Sequence, residues 1–134
     1  MQSNSNSAVA ILIPTRNRSG FVERLVKYYA SVKSPHTLYI GDASESFHIE
    51  QTKKIVSRYS HDISVVHFSW PGLSAHETMI GLAEESRESY CAFVGDDDFL
   101  VSDSLTKCAI FLDSNPSFRT AQGKALIFSL MRLK

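Results

Sequence analysis

The sequence predicts an α/β fold in which helices cover both faces of a mostly parallel sheet, giving three layers. Three observations carry this. Short apolar runs alternate with longer amphipathic ones along the whole chain. The short runs lack in–out alternation, as strands buried on both faces do. Their carboxyl ends run into clusters of Pro, Gly, Ser and Asp, the punctuation expected of βα connections.

The elements follow in order. Ala8 to Ile13 is a continuous apolar run closed by Pro14 and reads as the first strand. Between Gly20 and Val32 the residues Phe21, Leu25, Tyr28 and Val32 recur at helical steps, with Glu23, Arg24 and Lys27 elsewhere on the wheel. Thr37 to Ile40 forms a second buried strand that enters Gly41-Asp42-Ala43-Ser44, and Ile49, Thr52, Val56 and Tyr59 mark a second helix. Ile63 to Phe68 is a third strand. The sequence Ser74-Ala75-His76-Glu77 is a capping box that starts a third helix with Ala75, Met79, Leu82 and Ala83 facing inward. Tyr90 to Val94 is a fourth buried strand that stops at Gly95-Asp96-Asp97-Asp98. Ser102 or Asp103 then caps a fourth helix carrying Leu105, Cys108 or Ala109, and Leu112, ended by Asn115-Pro116. Ala125 to Phe128 reads as a last strand, and residues 130–134 as an unfinished end.

The chain has 134 residues, 43% hydrophobic, with 14 basic against 14 acidic side chains. That is enough for one domain with a real core, placed over residues 8–134 after a polar tail at 1–7 that is expected to be disordered. A balanced charge gives no electrostatic reason for a nucleic-acid partner. The chain contains no apolar run long enough to cross a bilayer and no basic-then-apolar leader, so a cytoplasmic location is expected. Cys91 and Cys108 lie in apolar stretches, as buried reduced thiols would.

In an open parallel sheet ligands bind beyond the carboxyl ends of the strands, near the point where strand order reverses. Pro14-Thr15-Arg16-Asn17-Arg18, Asp42 with Ser44, and Asp96-Asp97-Asp98 all fall at such ends, so one shared site is the economical reading. Three consecutive carboxylates repel unless a cation compensates them, and Mg2+ or Mn2+ does this with one or two carboxylates plus substrate phosphates. The alternative is a solvated turn with one aspartate capping the next helix. Asp42 is either a turn former or an acceptor for a nucleotide's ribose or base N–H. Arg16 and Arg18 either meet a diphosphate or pair with surface acids. The five histidines show no zinc spacing, and the six glycines form neither a dinucleotide fingerprint nor a phosphate loop. Thr15-Arg16-Asn17 stands where a receiver domain needs an acidic pair. Cys91, with no basic neighbour, reads as packing rather than as a nucleophile.

Taken together, AILIPTRNR (10–18), YIGDAS (39–44) and YCAFVGDDDFL (90–100) resemble the family 2 glycosyltransferases with the A-type nucleotide-sugar fold, and residues 111–124 resemble one subgroup of them. The resemblance implies a Rossmann-like α/β/α domain of the nucleotide-diphospho-sugar transferase type. It implies a UDP-sugar, or another nucleotide sugar, as donor, with Pro14, Thr15, Arg16, Asp42 and Asp96 around the nucleotide. It also implies Mn2+ or Mg2+ held by Asp97 and Asp98, because aligning on Phe93 puts Gly95 where the family's first aspartate often stands. Ala75-His76-Glu77 departs from the relatives, many of which have a basic residue followed by Asn there. Such folds continue further, through an acceptor surface and a general base that this chain does not supply. The expectation is therefore the nucleotide-binding half of an enzyme that transfers a hexose to an unknown saccharide or other acceptor, with exposed apolar edges that favour a homo-oligomer. The alternative is a non-catalytic nucleotide-binding or oligomerising fragment of the same fold. A metal-dependent phosphatase or nucleotidyltransferase would need a nucleophilic aspartate or a basic phosphate clamp that the sequence lacks.

Overall fold

A computed structural model describes residues 8–129; the tail at 1–7 and the end at 130–134 lie outside the described residues. The elements are β1 (Val9–Thr15), α1 (Ser19–Ser31), β2 (Thr37–Asp42), α2 (Ser46–Tyr59), β3 (Val65–Ser69), α3 (Ala75–Glu85), β4 (Tyr90–Phe93) and α4 (Ser102–Ser114). The four strands form one parallel sheet in the order β3-β2-β1-β4. The chain thus steps outward from β1 to β3 and then crosses back to place β4 on the other side of β1. Strand order reverses beside β1, and the turns after β1 and β4 become neighbours.

Period-two alternation divides the core in two. On one face Ile11, Ile13, Leu38 and Ile40 meet Val22, Leu25, Val26 and Tyr29 of α1 and Ile55 of α2, with Leu105 of α4 against the same cluster. On the other face Ala10, Leu12 and Tyr39 pack against Leu82 of α3, flanked by Phe68 and Trp70. Burying each such side chain stabilises the fold by about 2 kcal/mol before entropy is subtracted. Gly41 permits the close approach of α3. A Cβ there would lie 2.5 Å from Thr78 Cγ2 and 3.1 Å from Leu82 Cδ1.

The Ser74 capping box forms as its sequence predicts. Glu77 N–H donates to Ser74 Oγ at 3.2 Å, and Ser74 N–H donates to Glu77 Oε2 at 2.8 Å. Four other expectations are corrected. The inner face of α1 is Ser19, Val22, Leu25, Val26 and Tyr29, whereas Phe21 and Val32 are exposed. The periodicity is right, but the face turns by one residue because 22, 25, 26 and 29 complete the stripe that meets the sheet. In α3, Thr78 and Leu82 are the buried residues, while Ala75 and Ala83 face outward. At α4 neither proposed cap serves: Val101 precedes the helix without a side-chain cap, and Ser102 is buried with its hydroxyl against Ser34. Finally, residues 125–128 form no strand, and Leu126, Ile127 and Phe128 are almost fully exposed. An apolar run becomes a strand only where a neighbour supplies the ladder, and no described strand runs beside it.

The cysteine expectation is also corrected. Both thiols are free, but Cys91 is exposed and Cys108 only partly covered. β4 is a sheet edge, and α3 covers β1 and β2 rather than β4, so Cys91 and Phe93 alternate outward. Phe93, Met79, Ile80 and Ala83 line a shallow groove of about 430 Å³ on that side.

Candidate functional site

The turn after β1 is shaped by Asn17, whose φ of 54° lies in the left-handed region that Asn tolerates better than most residues. Both polar ends of Asn17 fix that turn to the next one. Its N–H donates to Ser44 Oγ at 2.7 Å, and its Oδ1 accepts from Glu45 N–H at 2.9 Å. Ala43 N–H donates to Thr15 O at 3.0 Å, so the two loops continue the β1–β2 pairing beyond the strands.

Asp42 closes β2 and is fully buried. Its Oδ1 accepts from Ser44 N–H at 3.1 Å, and its Oδ2 pairs with His67 Nε2 at 2.9 Å. Burial pushes the Asp42 carboxyl up, but the bonds from His67 and from the Ser44 hydroxyl and backbone, with the His67 charge, outweigh it, leaving a net shift below the ordinary carboxylate value. A relay therefore runs His67–Asp42–Ser44–Asn17 across the ends of β3, β2 and β1.

The turn after β4 meets this surface from the other side. Thr15 Oγ1 donates to Asp96 Oδ2 at 2.8 Å, and Arg18 Nη1 pairs with Asp96 Oδ1 at 2.8 Å. Asp96 is buried with both oxygens engaged inside the protein. Arg18 Nη2 reaches Asp97 Oδ2 at 3.4 Å, and Arg24 Nη2 donates to the Asp97 carbonyl at 3.1 Å. Asp98 N–H donates to Gly95 O at 3.1 Å, which folds the three aspartates into a tight turn. Phe21 lies under both guanidinium groups, at 4.2 Å from Arg18 and 5.0 Å from Arg24.

The sequence-predicted residues thus come together unequally. Thr15 and Asp96 touch, Asp97 and Asp98 are exposed beside them, Pro14 is half-buried in β1, Arg16 is exposed, and Asp42 lies beneath the surface with its oxygens satisfied. Among the described residues no group of three or more His, Cys, Asp or Glu is arranged around a common metal position. The exposed carboxylates in this turn are those of Asp97 and Asp98, so a divalent ion here would have to draw most of its oxygen ligands from elsewhere. Sequence reasoning placed Asn17 and Ser44 in the strand-end cluster without assigning them a role, and it missed His67 and Arg24. An Asn between two arginines at a strand end was a signal for a left-handed turn; nothing in the sequence paired His67 with Asp42.

No family model and no curated protein matches the sequence. Solved structures do. The crystal structure of S. aureus TarS 1–349 superposes with a TM-score of 0.64 at 17% identity, over 81% of this chain and 33% of that one. The structure of S. aureus TarS gives 0.62 at 18% identity, over 80% of this chain and 20% of that one. TarS 1–349 in complex with UDP gives 0.62 at 17% identity, again over 81% and 33%. This chain therefore spans a third or less of the proteins it resembles, and over that span it has the Rossmann-like α/β fold of TarS, a family 2 glycosyltransferase.

Proposed function

We propose that this chain is the nucleotide-sugar-binding part of a glycosyltransferase that transfers a hexose from a UDP-sugar to a saccharide or other acceptor. The observation that carries the reading is the meeting of Thr15, Arg18 and Asp96–Asp98 where strand order reverses, on a fold shared with TarS. The UDP complex of TarS favours uridine as the base. Pro14, Thr15, Arg16 and Asp96 border the nucleotide, and Asp42 acts from below by holding Ser44 and Asn17 in place. Asp97 and Asp98 would hold Mn2+ or Mg2+, which when bound offsets charge on the departing diphosphate. The chain's own contribution is to bind and orient the donor, with Arg16 and Arg18 as the cationic groups nearest the phosphates. A general base for the acceptor is not identified among the described residues.

A cytoplasmic location belongs to the same proposal; among the described residues no helix is long and apolar enough to cross a membrane. The second reading, a nucleotide-binding or homo-oligomerising module without turnover, is favoured by the uncovered face of β4, where Cys91 and Phe93 are exposed. The test is a thermal-shift titration with UDP, GDP and their sugars, with and without Mn2+, on wild type and on an Asp97→Ala/Asp98→Ala variant. Stabilisation by one nucleotide that needs metal and is lost in the variant supports the donor site; no shift with any nucleotide overturns it. Donor hydrolysis or transfer by the same protein then separates the enzyme from the binding module.

A further inference from the structure

We infer that the open edge of β4 and the groove beside it bind a second copy of this chain, the two sheets joining antiparallel across a two-fold axis at β4. This gives the homo-oligomer reading a surface and a geometry, and it is independent of the donor site. Among the described residues β4 is the last strand of the sheet and is bonded on one side only, to β1. Val94 N–H donates to Leu12 O at 3.1 Å. By the two-residue alternation of strand backbone, Cys91 and Phe93 therefore direct their N–H and C=O groups to the open side. Sheet edges are normally blunted by a charge, a proline or a covering element. Tyr90-Cys91-Ala92-Phe93 has neither charge nor proline, and on the α3 side Cys91 is exposed and Phe93 45% exposed.

The chemistry of α3 identifies the occupant as a second copy. His76, Met79, Ile80, Ala83 and Glu84 recur at helical steps and, with Phe93, line the groove of about 430 Å³ between α3 and β4. The stripe is apolar in the middle, with an imidazole near the amino end of the helix and a carboxylate near its carboxyl end. Both end residues are exposed, and among the described residues neither takes part in an ion pair. Crossover helices run against their strands, so α3 runs opposite to β4. A two-fold axis at β4 then sets two α3 helices antiparallel on one face of the joined sheet. Each His76 end meets the Glu84 end of the other copy, and an imidazole N–H donates to a carboxylate whether the ring is neutral or charged. Ile80, Ala83 and Phe93 of both copies come together between these pairs and leave water. A parallel arrangement would instead bring like ends together. The surface is thus complementary to itself, the requirement for an interface that closes at two copies. With a four-residue edge and a shallow groove, the dimer belongs to the small, readily dissociating class.

The test is sedimentation velocity from micromolar to millimolar protein. Wild type should pass from monomer to dimer as concentration rises, and Cys91 should react with a thiol reagent more slowly in concentrated than in dilute protein. Phe93→Asp sets a charge beside the axis and should stay monomeric throughout. If Phe93→Asp does not fold, Ile80→Asp, on the exposed side of α3, decides in the same way. His76→Glu sets carboxylates against each other at both ends, and Glu84→Lys removes both acceptors. Each should weaken the dimer about three- to tenfold, as two exposed pairs are lost. Each also improves the match of charge to the α3 dipole, so a weaker dimer would not reflect a weaker helix. The double variant His76→Glu/Glu84→Lys restores opposite charges across the axis and should recover wild-type association. A wild type that is monomeric at every concentration overturns the inference, as does a dimer that persists in Phe93→Asp or a double variant no tighter than the single ones. The donor-site reading fails separately, on the absence of a UDP-induced thermal shift.

Discussion

The Thr15 hydroxyl donates to Asp96 at 2.8 Å across 81 residues of sequence, and this one bond joins the end of β1 to the turn after β4. It is buried, so its loss leaves a carboxylate oxygen without a partner in a place water reaches poorly. Thr15→Val keeps the shape and removes the donor, and should lower stability by about 1–3 kcal/mol. Thr15→Ser keeps the donor and should recover most of that. Urea unfolding of the three proteins reads the difference directly; equal midpoints for valine and wild type would mean the bond is not formed in solution.

The Asp42–His67 pair predicts acid sensitivity of a definite sign. The Asp42 carboxyl is held below its ordinary value in the fold. A depressed folded value means the stability it contributes is present above the unfolded carboxylate value of about 3.9 and is lost as pH falls through the folded value. Removing the His67 partner should shrink that contribution. His67→Ala should therefore be less stable than wild type at neutral pH, and the gap between the two melting curves should close as pH falls through the depressed folded value of Asp42. A constant gap in melting temperature from pH 7 to pH 2 would refute the linkage.

Much of the fold was legible because buried parallel strands and amphipathic helices leave strong periodic signals. The cluster at the strand ends was legible for a related reason: polar residues following an apolar run have few places to go but the carboxyl edge of the sheet. What failed depended on neighbours. The exposure of Cys91 and Phe93 follows from α3 covering β1 and β2 instead of β4, and β4 sits at the sheet edge, which its own four residues do not reveal. The run at 125–128 has strand propensity but no described partner. Arg18 was recognised as a candidate, yet its engagement with Asp96 is a contact 78 residues distant, set by topology and not by local pattern.

The uncovered β4 edge makes a chemical prediction. Cys91 is exposed and Cys108 partly covered, and both are free. With a thiol-reactive chromogen the native protein should show one fast-reacting thiol and one slower, and Cys91→Ser should remove the fast phase. Loss of the slow phase instead would mean β4 is covered in solution, as it would be in a self-associated protein.

Tyr29 predicts the alkaline limit. Its ring is fully buried in the main core, and its hydroxyl donates to Leu100 O at 3.1 Å while accepting from Leu100 N–H at 3.0 Å. Burial drives its pKa up to about 12, opposed by the Leu100 bond and assisted by Tyr28. A raised folded value means this stability is whole below the unfolded value near 10 and is lost as pH rises through the folded one, an amount of about 2–3 kcal/mol. Phenolate absorbance should show one of the five tyrosines titrating later than the rest and together with unfolding. In Tyr29→Phe that late phase should be absent.

Gly41 sits where β2 passes closest to α3, and the nearest atom to an added Cβ is Thr78 Cγ2 at 2.5 Å. Gly41→Ala has no strained backbone angle to relieve, so its whole effect is overpacking, about 1–3 kcal/mol of destabilisation. The neighbour that must give way is one methyl group. Thr78→Ser removes that methyl and keeps the hydroxyl that donates to Ser74 O at 2.8 Å. Alone, Thr78→Ser leaves a small void and should cost about 1 kcal/mol. In the double variant the new Cβ fills the space the methyl left, so the two changes should cost less together than the sum of their separate effects. Additive losses would mean that Leu82 Cδ1 and Cγ, both at 3.1 Å, and not Thr78, limit how closely α3 approaches the sheet.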